Sequence, residues 1–215
     1  FIAADCGASA ALTDRSYYWS IQVNVTRQND SVSAESHHVS NLNWIISDDA
    51  GTEGLENYKN AHSDILFLQY TSGSTNAPKG VMVSHDNILV NCDYAVDHLP
   101  IGVSWLPQYH DLGLIGYYIF FAIKGGTTYG FSPTDFILRP ALWMETITKY
   151  TATASSAPNF AFEYCLAPGK ISEQTLAGLD LSSLRYFMTA AEPISTKTYE
   201  AFIHYFEPYG LPAKS

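Results

Sequence analysis

Short β-rich runs alternate with stretches of helical period along this chain, and that alternation constrains its fold more than any other feature. Asp64 to Tyr70, Gly80 to Ser84, Val103 to Leu106, Thr127 to Phe131, Ala152 to Ser155 and Leu184 to Thr189 read as strands. Helices fill the intervals: His85 to Val96 with Ser84 as an available N-cap, Asp111 to Ile123 after a proline-containing turn, Ala141 to Lys149 just after Pro140, and Ser195 to Phe206. The pattern argues for an α/β fold, layered sheets with flanking helices and a largely parallel sheet. Leu42 to Ile46 is a further strand-like run. Before it lies a polar stretch without period, residues 26–40, expected to be an exposed, mobile loop. His37 and His38 within it are adjacent, so in an extended loop their side chains point apart and make no metal pair.

Composition excludes several function classes. With 47% hydrophobic and 15% charged residues the chain is globular, and 11 basic against 21 acidic residues give a net charge of -10. No Lys/Arg run offsets that charge, which disfavours binding to a nucleic-acid backbone or an anionic membrane. Cys6, Cys92 and Cys165 are far apart and odd in number, with no Cys-x-x-Cys pair, which fits a reducing cytoplasm and no zinc site. The longest apolar stretch, Leu112 to Ile123, is interrupted by Gly113 and Gly116 and is too short to cross roughly 30 Å of hydrocarbon, so no membrane span is expected. Phe1 to Gly7 reads as the end of an apolar element and a turn, without the regions of a signal peptide. The sequence is expected to start and stop inside a fold.

Tyr70-Thr-Ser-Gly-Ser-Thr-Asn-Ala-Pro-Lys-Gly80 follows the apolar run that begins at Ile65. Thr71, Ser72, Ser74 and Thr75 supply hydroxyl donors, Gly73 lets backbone approach closely, and Lys79 adds a positive charge, a set suited to a polyphosphate. It is not a Walker A loop, because Pro78 precedes Lys79 and Gly80 follows it. A hydroxyl-rich surface turn has the same composition. The order of residues separates the two readings.

That order closely resembles the phosphate-binding signature of the adenylate-forming superfamily, which contains acyl-CoA synthetases, luciferases, peptide-synthetase adenylation domains and fatty acyl-AMP ligases. Asn76 stands where the superfamily often has Gly, a position at which fatty acyl-AMP ligases accept a larger residue. Ser104-Trp-Leu-Pro-Gln-Tyr-His-Asp-Leu-Gly-Leu-Ile-Gly116 looks like the second core motif in its fatty acyl-AMP ligase form. Ala157-Pro-Asn-Phe-Ala-Phe-Glu-Tyr-Cys165 resembles the segment lining the acyl site. Leu179 to Arg185 and Ala190-Ala-Glu-Pro-Ile194 extend the similarity, although Thr189-Ala190 replaces the usual Asn-Gly. The resemblance covers essentially the whole chain and is strongest from residue 64 to 194.

The resemblance implies part of a large AMP-binding domain over residues 1–215, with the small C-terminal domain absent and the fragment alone inactive. The implied reaction is attack of a fatty-acid carboxylate on ATP with Mg2+, giving an acyl adenylate that passes to an acyl carrier protein or to a polyketide or peptide synthase. An acyl-CoA synthetase and a non-catalytic adenylation-like binding module are the alternatives. The phosphates fall to Thr71, Ser72, Gly73, Ser74, Thr75 and Lys79, and the adenine side to Ala191, Glu192 and Pro193. His110 and Lys79 carry the catalytic role; Tyr109, His110, Asp111, Pro158, Asn159, Phe160 and Tyr164 face the substrate. No metal ligand is expected within this chain, because the Tyr-Gly-x-x-Glu motif that helps hold Mg2+ is not in it. A lone His is more often structural, Glu192 reads equally well as a surface carboxylate, and the aromatics serve equally well as core. Leu112 and Ile115 would complete an apolar slot, and Asp93 with Asp97 reads as a solvated helix face.

Overall fold

In a computed structural model, residues 2–27, 41–49, 64–71, 78–95 and 101–212 are described. The chain divides into two units, Phe1–His85 and Asp86–Ser215. Of the loop expected at 26–40, Thr26 and Arg27 close a helix, while residues 28–40, with His37 and His38, lie outside the described residues, as does Asp97.

The first unit holds α1 (Ile2–Asp5), β1 (Ala10–Thr13), α2 (Arg15–Arg27), β2 (Asn43–Ile46), β3 (Ile65–Tyr70) and β4 (Gly80–Ser84). Asp14 starts α2, its carboxylate accepting from Tyr17 N at 2.8 Å as an N-cap does. β1 and β2 pair in parallel, from Ala10 opposite Asn43 to Thr13 opposite Ile46. β3 and β4 pair antiparallel instead, ending with Tyr70 opposite Gly80. The intervening residues 71–79 are too few for a parallel crossover, which takes about a dozen or more.

The second unit is a four-stranded, all-parallel sheet between two helical layers. Its elements are α3 (His85–Ala95, entered from the first unit), β5 (Ile101–Ser104), α4 (residues 111–124), β6 (Thr127–Gly130), α5 (Pro133–Leu138), α6 (Ala141–Tyr150), β7 (Ala154–Ala157), α7 (Asn159–Leu166), α8 (Glu173–Leu176), β8 (Tyr186–Thr189) and α9 (Thr196–Phe206). Strand order is β6-β5-β7-β8. The chain therefore steps outward from β5 to β6, then returns past β5 to β7 and β8. Because parallel crossovers keep one hand, opposite steps put their helices on opposite faces.

Contacts confirm it. Gly102 and Ala154, in register, share one face with Tyr186, and there α4 packs: a Cβ on Gly102 would lie 2.6 Å from the Phe121 ring. The next residues along, Val103, Ser155 and Phe187, face the other way, towards Trp143 of α6, Phe162 of α7 and Phe202 of α9. Trp143 is fully buried, stacks on Phe187 at 5.5 Å and donates from Nε1 to Ser155 Oγ at 2.8 Å, which donates in turn to Val103 O at 2.7 Å. Ser132 and Asp135 form a reciprocal capping box on α5, and Ser195 caps α9.

The strand at Gly80–Ser84 matches its expected span, and the other expected strands lie within two residues of theirs. Ala152 and Leu184 read as strand because they are apolar. Both are fully buried but precede the ladder, Leu184 N donating to Leu181 O at 3.1 Å in a turn. Helices α1, α2, α5, α7 and α8 were not expected; all but the 13-residue α2 are one or two turns long, too short for a pattern to repeat.

Two expectations follow. Phe202→Ala, which empties the centre of the aromatic cluster, should cost about 3–5 kcal/mol in equilibrium urea unfolding; a cost below about 1 kcal/mol would place that centre elsewhere. Burial pushes the Cys165 thiol from its ordinary 9.0 up to about 12. The unfolded chain therefore ionises first. Stability from this thiol is complete below about pH 9 and is lost as pH rises towards 12, so between pH 7 and 10.5 the parent should lose about 2 kcal/mol more than Cys165→Ala. Parallel losses in the two proteins would contradict this.

Candidate functional site

β5 and β7 are neighbours whose onward connections leave in opposite directions, and in such sheets the crevice at the carboxyl ends of those strands is where ligands bind. Ser104-Trp-Leu-Pro107 leaves β5 there and turns into α4. His110 N donates to Pro107 O at 3.2 Å, and Leu114 N to His110 O at 2.8 Å. Gly113 permits the turn, since a Cβ there would lie 2.2 Å from Pro107 O.

This turn makes His110 the N-cap of α4. Its Nδ1 lies 2.7 Å from Asp111 Oδ1, and Leu112 N approaches both, at 3.3 Å and 2.7 Å. The Leu112 N–H is shared between His110 Nδ1 and Asp111 Oδ1, and Nε2 is the imidazole nitrogen outside this cap. Both side chains are about half exposed.

Beyond the turn, α4 is wound in three pieces: Asp111–Gly113, a π-helical segment Leu114–Ile119, and Phe120–Lys124. In the middle piece Phe120 N donates to Ile115 O, one residue further back than in an α-helix. Tyr117 and Phe121 press onto the sheet. The buried Tyr117 hydroxyl donates to Ser156 Oγ at 2.8 Å, and burial raises its pKa above the usual phenol range against the lowering effect of that bond. Leu112, Ile115 and Phe120, with Tyr186, Met188 and Ala191 from the β8 side and His110 and Asp111 at one end, line a cavity of about 750 Å³. Such a volume lies within the range of small-molecule sites, roughly 300–1,000 Å³.

The turns leaving β7 and β8 lie side by side at the same edge. Ala190 N donates to Ala157 O at 3.3 Å, and Ala191 takes a left-handed φ of 72°. Glu192 Oε1 accepts from Phe160 N, in the first turn of α7, at 2.6 Å.

The expected site residues thus separate into groups. His110, Asp111, Leu112, Ile115 and Ala191 meet in one cavity. Tyr109, Pro158, Asn159, Phe160 and Tyr164, expected to share a slot with Leu112 and Ile115, are not among its lining residues. Tyr109 is 87% exposed. Asn159 is buried in bonds to Glu163 and Ser195, Phe160 meets the Trp105 ring edge-on at 6.0 Å, and Tyr164 donates to Ile137 O. The reason is positional: α7 packs with Trp143 and Phe202, on the sheet face opposite α4. Tyr186, Met188 and Phe120 were not anticipated as lining. The apolar alternation of Tyr186 and Met188 on β8 was the available signal.

In the first unit, Thr71 N donates to Lys79 O at 3.1 Å and closes the base of the hydroxyl-rich loop; Ser72, Gly73, Ser74 and Thr75 lie outside the described residues. Lys79 is exposed and makes no ion pair among the described residues. Tyr70, at the foot of the loop, donates to Asp5 at 2.6 Å, a bond that raises its pKa to about 12. Asp93 is paired with Lys124 at 3.2 Å as well as solvated. Among the described residues no three His, Cys, Asp or Glu side chains are placed to hold a metal ion, and no helix is long and apolar enough to cross a membrane.

A family model described as AMP-binding enzyme matches residues 1–211. A medium-chain-fatty-acid–[acyl-carrier-protein] ligase, JamA, of Moorena producens is 38% identical over 96% of this chain and 35% of its own length. The crystal structure of a Legionella pneumophila fatty acyl-adenylate ligase, in complex with acyl adenylate and pyrophosphate, is 44% identical with a TM-score of 0.64, over 69% of this chain and 27% of that one. A structure from a study of fatty acyl-adenylate ligases of E. coli and L. pneumophila is 30% identical with a TM-score of 0.76, over 98% of this chain and 37% of that one. The chain spans about a third of the length of these relatives.

Gly113→Ala should be the most damaging single-methyl change near His110, because the added carbon meets backbone and not a movable side chain. A fall in stability of about 1–3 kcal/mol is expected, with chemical-shift changes centred on residues 107–114. A variant with the parent's stability and spectrum would refute the tight turn.

Proposed function

We propose that this chain, which belongs to the AMP-binding enzyme family, serves a protein that activates a fatty acid as its adenylate and passes the acyl group to an acyl carrier protein. In this reading residues 1–215 are part of the large adenylation domain. The observation that carries it is the cavity between α4 and the sheet face, apolar along α4 and reaching the carboxyl edge of the sheet at the half-exposed His110 and Asp111. An alkyl chain fits the apolar wall, leaving a carboxylate at the polar end.

A carboxylate oxygen of the fatty acid attacks the α-phosphorus of ATP. One P–O bond forms, the bond to pyrophosphate breaks, and no proton need move. The barrier is the crowding of negative oxygens, so positioning and charge neutralisation are the demands on the protein. His110 Nε2 serves at the acyl–phosphate junction. Thr71, Ser72, Gly73, Ser74, Thr75 and Lys79 serve the phosphates, and the Ala191-Glu192-Pro193 stretch the adenine side. Tyr109, Pro158, Asn159, Phe160 and Tyr164, which lie outside this cavity, keep the substrate-side role that the resemblance implies. Mg2+ would add charge neutralisation when bound; among the described residues no three His, Cys, Asp or Glu side chains are placed to hold it. The ligase named for its carrier protein supports that acceptor. Three unpaired thiols fit a cytoplasmic protein.

The test is fatty-acid-dependent exchange of labelled pyrophosphate into ATP by the whole protein. Exchange is expected, with Lys79→Ala lowering it roughly a hundredfold, as loss of one preorganised donor does. Fatty-acid binding without any exchange would replace this reading with that of a binding module, and transfer to CoA but not to carrier protein would replace the acceptor.

A further inference from the structure

Pro158 occupies the N-cap of α7 and has no side-chain acceptor to offer the unpaired N–H groups of the helix's first turn. The acceptor comes from the neighbouring turn, where Glu192 Oε1 takes the Phe160 N–H at 2.6 Å. The bond has a counterpart in the other direction. Asn159, only 8% exposed, accepts from Ser195 N at 3.0 Å, at the entry to α9. Asn159 Nδ2 donates to Glu163 Oε1 at 3.2 Å, and Thr198 Oγ1 donates to that same oxygen at 3.0 Å. Each strand-to-helix turn thus completes the other's helix start.

Between the two fastenings lies Ala191. Ala190 N is held to Ala157 O, and Glu192 to Phe160 N, so the left-handed Ala191 is fixed from both sides. That conformation is unfavourable for a residue with a Cβ and persists where its surroundings enforce it. Ala191 is also part of the cavity wall that His110 joins.

We infer that Glu192 is a positioning residue whose side chain clasps α7 to the β8–α9 turn and so holds Ala191 in its strained conformation at the cavity, in place of contacting the nucleotide. The inference rests on the reading above for what the wall serves. The carboxylate acts as a hydrogen-bond acceptor for backbone, and its charge is secondary.

In the whole protein, Glu192→Ala should raise the KM for ATP in pyrophosphate exchange roughly tenfold, whereas Glu192→Gln, which keeps an oxygen for the Phe160 N–H, should stay within about threefold of the parent. Adding Ala191→Gly to Glu192→Ala should recover roughly fivefold, because glycine adopts left-handed φ freely. A Gln variant as impaired as the Ala variant, or no recovery from Ala191→Gly, would overturn the proposal. Amide hydrogen exchange gives a readout separate from turnover. The Phe160 amide should exchange at least tenfold faster in Glu192→Ala, and an unchanged rate would overturn the clasp. A parent without pyrophosphate exchange, together with that faster amide, would overturn the activity reading and leave the clasp standing.

Discussion

Between β5 and β7 the parallel sheet reverses its direction of growth, and the rest of the second unit follows from that reversal. The step from β5 to β6 carries α4 over one face; the steps through β7 to β8 carry α6 and α7 over the other, where α9, after β8, joins them. One face is then filled with aromatic rings and sealed. The opposite face, covered by α4 with its π-helical middle, keeps a cavity that Asn91 of α3 also lines. The carboxyl edge where the two connections part receives the turns that bear His110, Pro158 and Ala191.

The sealed face provides the rigidity that such an edge needs. Trp143, Phe162, Phe187 and Phe202 pack ring against ring, and the Ser155 hydroxyl ties them to the sheet by bonding Trp143 on one side and Val103 on the other. Burying each ring stabilises the fold by about 1.5–3 kcal/mol. Against that background a left-handed Ala191 is a small cost, on the order of 1–2 kcal/mol, and can be sustained at the cavity wall. Gly102 lies under the Phe121 ring of α4, and Gly113, within α4, lies against the Pro107 carbonyl, places where a Cβ would collide.

Most of this frame was legible from residue order. Alternating apolar runs placed every strand of the main sheet to within about two residues, because buried parallel strands need continuous apolar stretches. The antiparallel β3–β4 pair and helix α2 were not among the expected elements, although the short 71–79 connection and Asp14 as an N-cap were signals the sequence held. At the site, the motif order put His110, Asp111 and Ala191 on the turns that face the cavity. It did not separate the two faces of the sheet: Phe160 and Tyr164 share an aromatic-rich segment with Pro158, yet helical geometry turns them towards Trp105 and Ile137. Glu192 read as a surface carboxylate or a nucleotide neighbour. Its partner is a backbone N–H 32 residues away, and no local pattern announces such a bond.

The central claim is that the cavity between α4 and β8 receives the acyl adenylate. A crystal structure of the whole protein with a non-hydrolysable acyl-adenylate analogue tests it most directly. The alkyl chain should lie along Leu112, Ile115 and Phe120, with the phosphate mimic within hydrogen-bond reach of His110 Nε2. An analogue bound elsewhere, with this cavity filled by its own side chains, would contradict the account.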